Sequence, residues 1–374
     1  MALFDAIAHI YGVSPDEIVK AKFDPWVRPN ARMVRDFLME YYPVEACRAA
    51  GYMHYPFAPV AAICPLRQPS PDLPVAESGI GLNPRRPVLP AELLAAYVWP
   101  LRETSLWDCD TYRLLAFDPV GSRATFAVDR FLLFRLTTAL MREELHYALS
   151  RGASSLPLRE QLAPRPEALV DLQSRRIFGG VHTLCAFARP APHNDFLIPL
   201  QRRSTRVGVA GGSLGVIPMA FHQPCASGPL DPRAPATTAL REIFEELFGG
   251  VETHEEAKFL THPAIEWLLN HREDLHFETT NFFFSLFGGN FDFSLLLAVT
   301  NTDFWQRFGP GLETTWESEE HFLLSTLDRA SFDRILREPD WEAQALGCCL
   351  DGLRRLQSID PARMLQEPYD PTAP

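Results

Sequence analysis

The stretch Arg241–Gly250, REIFEELFGG, decides how the second half of this chain is read. Leu240, Ile243, Phe244 and Leu247 recur at spacings of three and four, the apolar stripe of an amphipathic helix. With Thr237 as N-cap, that helix extends to about Phe248. Glu242, Glu245 and Glu246 then lie at i, i+3 and i+4, on one face and one turn apart. Carboxylates so close repel one another and disfavour their own ionised forms. Arg241 projects about 100° away from Glu242 and cannot neutralise all three. A hard divalent cation could. Mg²⁺ or Mn²⁺ takes oxygen ligands, and Mg²⁺ commonly bridges protein carboxylates to substrate phosphates. A solvated acidic helix face is the alternative reading of the same residues.

Outward from this helix, the texture from about Arg176 alternates strand-like and helical runs. GGVHTLCAF, NDFLIPLQRRS and GSLGVIPMAFHQP read as strands, the last ended by proline. NFDFSLLLAVTN is a strongly apolar strand, EEHFLLSTL a short one, and DRASFDRIL a helix behind it. WEAQALGCCLDGLRRLQ closes the chain as an amphipathic helix, with at most one of Cys348 and Cys349 buried. The aromatic run at 281–293 suits core and edge packing, or a pocket lining. Upstream, YRLLAFDP and ATFAV flank a turn and form a hairpin, followed by one helix from about Arg130 to Ser150. Residues 64–100 are dense in proline, an irregular connector with a helix start near Pro90, and residues 1–60 read as short helices.

REIFEELFGG resembles the core of the Nudix box, whose pattern is G-x5-E-x7-R-E-U-x-E-E-x-G-U with U aliphatic. Arg241, Glu242, Ile243, Glu245 and Glu246 match R-E-U-x-E-E position by position. DFLIPLQRRS is similar to the family strand that ends in a glutamine-arginine pair, and GVIPMAFHQP to the strand before its Pro-Gly-Gly turn. SLLLAV and ESEEHFLLSTLDRASFDRIL resemble its late strand, acidic loop, strand and closing helix. The hairpin and helix at 112–150 are similar to a segment that precedes such domains in some actinobacterial proteins. The departures are specific. The upstream glutamate of the pattern falls at Arg233 and its first glycine at Ser227. The Pro-Gly-Gly turn reads Pro218-Met219-Ala220, and the downstream glycine falls at Phe248, with Gly249 one place late.

The resemblance implies an α/β (α+β) fold, a mixed sheet sandwiched between helices, with a mainly helical N-terminal extension. The expected organisation is a helical and Pro-rich extension at 1–100, a hairpin-plus-helix segment at 101–170, and a Nudix-like domain at 171–374. It also implies a Mg²⁺- or Mn²⁺-dependent hydrolase that cleaves a diphosphate linkage in a nucleoside diphosphate joined to another moiety. Glu242, Glu245 and Glu246 would be the metal ligands, and Arg241 would orient a glutamate. Arg202 and Arg203 would grip phosphate, since the guanidinium fork matches that geometry. Glu317, Glu319 and Glu320 lie where the family often has a further acid. The missing glycines and upstream glutamate leave a second reading open: an inactive domain that senses a nucleotide metabolite, regulates transcription, or assists a biosynthetic enzyme.

The whole chain bounds these readings. At 374 residues with 47% hydrophobic and 22% charged content, it is expected to be globular and long enough for two domains. No apolar run suits a membrane span, and no basic segment opens a secretory signal. Seven scattered cysteines without a CxxC pair argue against a disulfide or zinc framework and fit a reducing, cytoplasmic compartment. Heavy use of Arg, Ala and Pro suggests a GC-rich bacterial source. The net charge of −12 argues against nucleic acid as a partner, although Ala8, Gly12, Val13, Ser14 and Ile18 fall at helix-turn-helix spacings. An oligomer is compatible with everything above. His182, His222 and His321 have no partner at metal-ligand spacing, Ser213 lacks a nucleophile elbow, and GVAGGSLG matches no nucleotide-binding loop.

Overall fold

The computed structural model describes residues 30–49, 53–55, 58–64, 70–72, 91–98, 109–118, 123–172, 175–207, 209–225, 228–313 and 315–365. The helix-turn-helix spacings at 8–18 lie outside these residues. In chain order the first elements are α1 (Ala31–Tyr41), α2 (Val44–Ala49), β1 (Met53–Tyr55), β2 (Ala58–Cys64), β3 (Ser70–Asp72) and α3 (Ala91–Val98). Then come β4 (Asp110–Asp118), β5 (Arg123–Arg130), α4 (Phe131–Leu136), α5 (Thr138–Ser150), α6 (Pro157–Leu162) and α7 (Pro166–Leu169). The second half runs β6 (Ile177–Ala188), β7 (Phe196–Arg203), β8 (Leu214–Val216), β9 (Met219–Phe221), α8 (Pro235–Leu247), α9 (Glu256–Leu260) and α10 (Pro263–Asn270). It closes with β10 (Leu275–Ser285), β11 (Phe291–Val299), α11 (Thr302–Phe308), β12 (Ser318–Ser325), α12 (Arg329–Leu336) and α13 (Ala343–Ile359).

Strand β6 organises the sheet. One edge pairs in parallel with β11 from Gly179↔Phe291 to Phe187↔Val299. The other edge is shared by three partners in succession: β4 at Ile177 and Phe178, β9 at Gly180 to His182, and β7 at Phe187 and Ala188. Every residue of β6 is buried, as a strand with neighbours on both edges and layers on both faces must be. The two glycines are required by this crowding. A Cβ at Gly179 would lie 1.9 Å from the Phe291 carbonyl oxygen, and one at Gly180 2.3 Å from that of Ala220. Beyond β11 the order continues to β10, β2 and β1, and β7 carries β12 and β8.

Helices cover both faces, which gives the expected mixed α/β architecture of a large, mainly antiparallel sheet flanked by helices. On one face Leu184, Ile198, Leu200 and Leu296 pack under α13 through Cys349, Leu350 and Leu353. On the other, Cys185, Phe187 and Leu297 pack against α8, α10 and α11 through Ile243, Leu247, Trp267 and Phe304. A separate helical cluster around Tyr42, Tyr97, Leu140 and Leu158 contains the fully buried Arg159. Its guanidinium donates to the carbonyl of Leu286 at 2.7 Å and to that of Phe287, which fastens these helices to the turn between β10 and β11.

Several local expectations shift. The helix expected at 130–150 breaks at Thr137, whose hydroxyl turns back to the Leu133 carbonyl at 2.5 Å. The strand expected in GSLGVIPMAFHQP is two three-residue strands on either side of Ile217-Pro218. Proline lacks the N–H that a continuous ladder needs, so β8 pairs with β7 and β9 with β6. The region read as helices up to residue 60 also contains β1 and β2, and β2 joins β10. Its partner lies far away in sequence, so local periodicity did not reveal it. Cys348 and Cys349 are both buried, because α13 packs on the sheet with one side and receives α12 and Met364 on another. The aromatic run at 281–293 is core: Phe282, Phe283, Phe284, Phe291 and Phe293 are all buried.

Candidate functional site

Helix α8 starts at Pro235 with Ala234 as cap, two residues before Thr237. Proline presets the helical φ and lacks an N–H that would be unpaired at this position anyway. Thr237 instead donates its hydroxyl to the Asp231 carbonyl at 2.7 Å. Leu240, Ile243, Phe244 and Leu247 are buried, as the stripe predicts. At about 1.5–3 kcal/mol for each such side chain, burial favours the docked helix by roughly 6–12 kcal/mol as an upper bound. That margin allows the opposite face to carry crowded acids. The helix ends where Gly249 takes φ +65° and the Gly250 N–H closes on the Phe244 carbonyl at 3.0 Å. The one-place-late glycine therefore supplies the left-handed turn.

Arg241 is buried beneath the acids and reaches back to its neighbour, against the wheel expectation. Its guanidinium bonds Glu242, with Nε 3.1 Å from Oε1, and its Nε lies 4.0 Å from Oε1 of Glu245. Its other N–H groups donate to Gln223 Oε1 at 3.2 Å and His254 Nδ1 at 3.1 Å. The length of the arginine side chain lets it curl over one helical turn, so it serves two carboxylates instead of one. Burial, then the charge of Arg241, hold His254 below its usual range, which suits Nδ1 as an acceptor.

Glu245 accepts the Thr253 N–H at 2.7 Å, and burial followed by the Glu242 charge pushes its carboxyl up to about 8. Glu246 turns toward the sheet. It accepts from Gln201 Nε2 at 3.0 Å and from the Met219 N–H at 3.3 Å. Burial, then Glu317, raise Glu246 well above the carboxylate range. Burial also raises Glu317, against the opposing pull of Arg203, whose Nη2 stands 3.2 Å from its Oε2.

The two strand arginines part company. Successive residues of a strand point to opposite faces. Gln201 and Arg203 face α8, and Arg203 also donates Nη1 to the Met219 carbonyl at 3.0 Å. Its buried Nε has no hydrogen-bond partner among the described residues. Arg202 faces the α13 side, where it pairs with Asp340 and, through Nε, with Glu320 at 3.1 Å. The structure thus brings together Arg241, Glu242, Glu245, Glu246, Arg203 and Glu317, and places Arg202 away from them. Glu319 accepts the Thr205 N–H at 3.1 Å, and Arg233, at the upstream-glutamate position, holds Asp231 at 2.7 Å. Strand alternation would have separated Arg202 from Arg203, and would have picked out Gln201. No spacing in the sequence points to Gln223, Thr253 or His254, which arrive on loops.

Among the protein-family models and the curated proteins, none matches the chain. Among solved structures, the crystal structure of a Nudix hydrolase from M. smegmatis, RenU, is similar to it. That match has 16% sequence identity and a TM-score of 0.27, and covers 52% of this chain and 96% of that one.

Four carboxylates, Glu242, Glu245, Glu246 and Glu317, stand against two guanidinium groups, Arg241 and Arg203, so full ionisation leaves two uncompensated negative charges. This all-oxygen, under-neutralised set fits a hard divalent cation in chemistry and charge. As the side chains stand, no group of three or more His, Cys, Asp or Glu among the described residues is gathered closely enough to hold a metal ion. Two of the three histidines, His222 and His182, have other uses. His222 Nδ1 meets Thr238 Oγ1 at 2.9 Å and Nε2 the Arg233 carbonyl at 3.0 Å, and burial holds it down at about 3. His182 pairs with Asp292 on the α13 side. No helix of the described residues is long and apolar enough to cross a membrane.

Proposed function

We propose that this chain is a divalent-cation-dependent hydrolase of a diphosphate linkage, in a nucleoside diphosphate joined to another moiety. The observation that carries this reading is the crowding of Glu242, Glu245, Glu246 and Glu317 around two guanidinium groups, Arg241 and Arg203. A structural acidic surface would be solvated and would not crowd buried carboxylates against one another. Glu242, Glu245 and Glu246 are the residues that would hold Mg²⁺ or Mn²⁺. The cation supplies Lewis acidity and offsets phosphate charge. Arg203 is the grip for a phosphate oxygen, through a guanidinium whose Nε has no partner among the described residues. Arg241 holds Glu242 in place.

A second reading is favoured by the separation of the carboxylates. Glu246 is engaged with Gln201 and Met219, and no ready ligand set is gathered among the described residues. In that reading the domain binds a nucleotide metabolite without turning it over. A hydrolysis screen that reads the nucleoside monophosphate product by chromatography decides between them, with Mg²⁺ or Mn²⁺ and nucleotide sugars, ADP-ribose, dinucleotides and nucleoside triphosphates as substrates. Turnover that disappears in Glu245→Gln supports hydrolysis. Ligand binding without turnover supports sensing.

A further inference from the structure

We propose that Trp316, backed by Arg206, is the stacking surface for the planar base of the ligand whose phosphates meet the α8 carboxylates. The inference rests on the nucleoside-diphosphate reading above and adds to it the residue that recognises the base.

Trp316 is 45% exposed, whereas Trp267 and Trp341 are 5% and 9% exposed in the core. An exposed indole on a loose tail would mean little. The described residues near this one, Glu313, Glu317 and Ser318, are each fastened. The Glu313 N–H donates to the Leu247 carbonyl at the end of α8 at 3.1 Å. The Ser204 N–H donates to the Glu317 carbonyl at 2.6 Å, and the Ser318 hydroxyl bonds Gln201 Oε1. The ring is therefore held outward within one residue of Glu317, which pairs with Arg203. The indole carries a broad apolar face on which a flat partner can stack.

Arg206 supplies the second half. Its guanidinium carbon lies 5.7 Å from the indole centroid, and Nη2 donates to the Trp316 carbonyl at 3.2 Å. Its backbone N–H donates to Ser204 Oγ at 3.2 Å, so the cation is positioned by the same strand end that carries Arg203. A guanidinium over an indole face stabilises the ring's orientation. Every nucleobase has a π face that stacks on such a surface, whatever its hydrogen-bonding edge. The independent sign of a ligand is the Arg203 Nε, buried and without a partner among the described residues, on the guanidinium that pairs with Glu317. A molecule with an anionic group at Arg203 and a flat group at Trp316 satisfies both features, and a nucleoside diphosphate has that composition.

The test compares α,β-methylene-ADP with methylenediphosphonate by calorimetry, in Mg²⁺, on the full chain. Neither is cleaved, so the difference between them reads the nucleoside alone and does not depend on turnover. The expected result is about tenfold or more tighter binding of the nucleotide, lost in Trp316→Ala and largely kept in Trp316→Phe. Methylenediphosphonate binds equally to all three proteins if the loop keeps its fold. Equal nucleotide preference in Trp316→Ala overturns the proposal, as does wild-type protein with no preference or no binding of either ligand. Failure of the hydrolase reading appears separately, as retained nucleotide preference with no nucleoside monophosphate formed from any substrate.

Discussion

Gln201 Nε2 stands 3.0 Å from Oε2 of Glu246, and this bond joins the central strand β7 to the glutamate helix α8. A neutral amide is the partner, although Arg203 lies two residues along the same face. The amide satisfies one oxygen without cancelling the charge, so Glu246 stays raised by burial and by Glu317. Gln201→Leu removes the donor and leaves a buried carboxyl oxygen and the Ser318 hydroxyl unpaired. The expected loss is roughly 1–3 kcal/mol, measured by urea unfolding at pH 7. An unchanged midpoint would show that the Met219 N–H alone holds the carboxyl.

Glu245 titrates at about 8 in the folded chain, above its ordinary unfolded value, so the native state holds the proton more tightly. Its contribution to stability is full below the unfolded value and is lost as pH rises through about 8. In a chelator, the wild-type melting temperature should therefore fall between pH 5 and pH 8.5, and Glu245→Gln should fall less and melt a few degrees higher at pH 8.5. Mg²⁺ should restore the wild type more than the variant at the higher pH. A variant that melts lower at pH 8.5 would mean that the bond to Thr253 outweighs the repulsion.

Arg203→Met and Arg202→Met separate the two faces of β7. The first should weaken methylenediphosphonate binding by about tenfold or more, since it removes a charge-assisted donor from the site. The second should leave that affinity unchanged and lower stability by about 1–3 kcal/mol, because the half-buried Asp340 loses the Arg202 cation. Calorimetry and urea unfolding on both variants read the two effects. Equal loss of affinity in both would contradict the alternation.

Asp292 carries the polar cluster under α13. It pairs with His182 and accepts from Gln344 Nε2 at 3.1 Å, and His182 Nε2 lies 3.6 Å from Glu342, which caps α13. Asp292→Ala strands the imidazole and the amide in the core. The expected cost is about 3–5 kcal/mol, by chemical unfolding at pH 7. A loss below about 1 kcal/mol would indicate that Glu342 takes over the imidazole.

Arg206→Ala removes the cation behind the indole but leaves the indole. It should lower the nucleotide preference partially, by about two- to fivefold, with the preference read as in the Trp316 comparison. Complete loss would place the guanidinium, not the ring, in contact with the base.

Local periodicity made much of the fold readable. The stripe Leu240, Ile243, Phe244 and Leu247 dictates α8, and the continuous apolar runs around Thr183 and Leu296 dictate buried strands. Thr237 misled the helix start because a cap residue two places inside a Pro-initiated helix looks the same in sequence. The β2 strand and the double burial of Cys348 and Cys349 were hidden because both depend on partners remote in the chain.

The sequence by itself determined that Glu242, Glu245 and Glu246 share a helix face and that their charges need an answer, because helical spacing and Coulomb repulsion are local. It also held, in strand alternation, the division between Arg202 and Arg203. Only the tertiary structure decided what answers those charges. It curled Arg241 over two carboxylates, sent Glu246 to Gln201, brought Glu317 to Arg203, and left Trp316 facing outward beside them. Each of these depends on segments far apart in sequence meeting across a packed sheet, and no periodicity within a segment encodes that meeting.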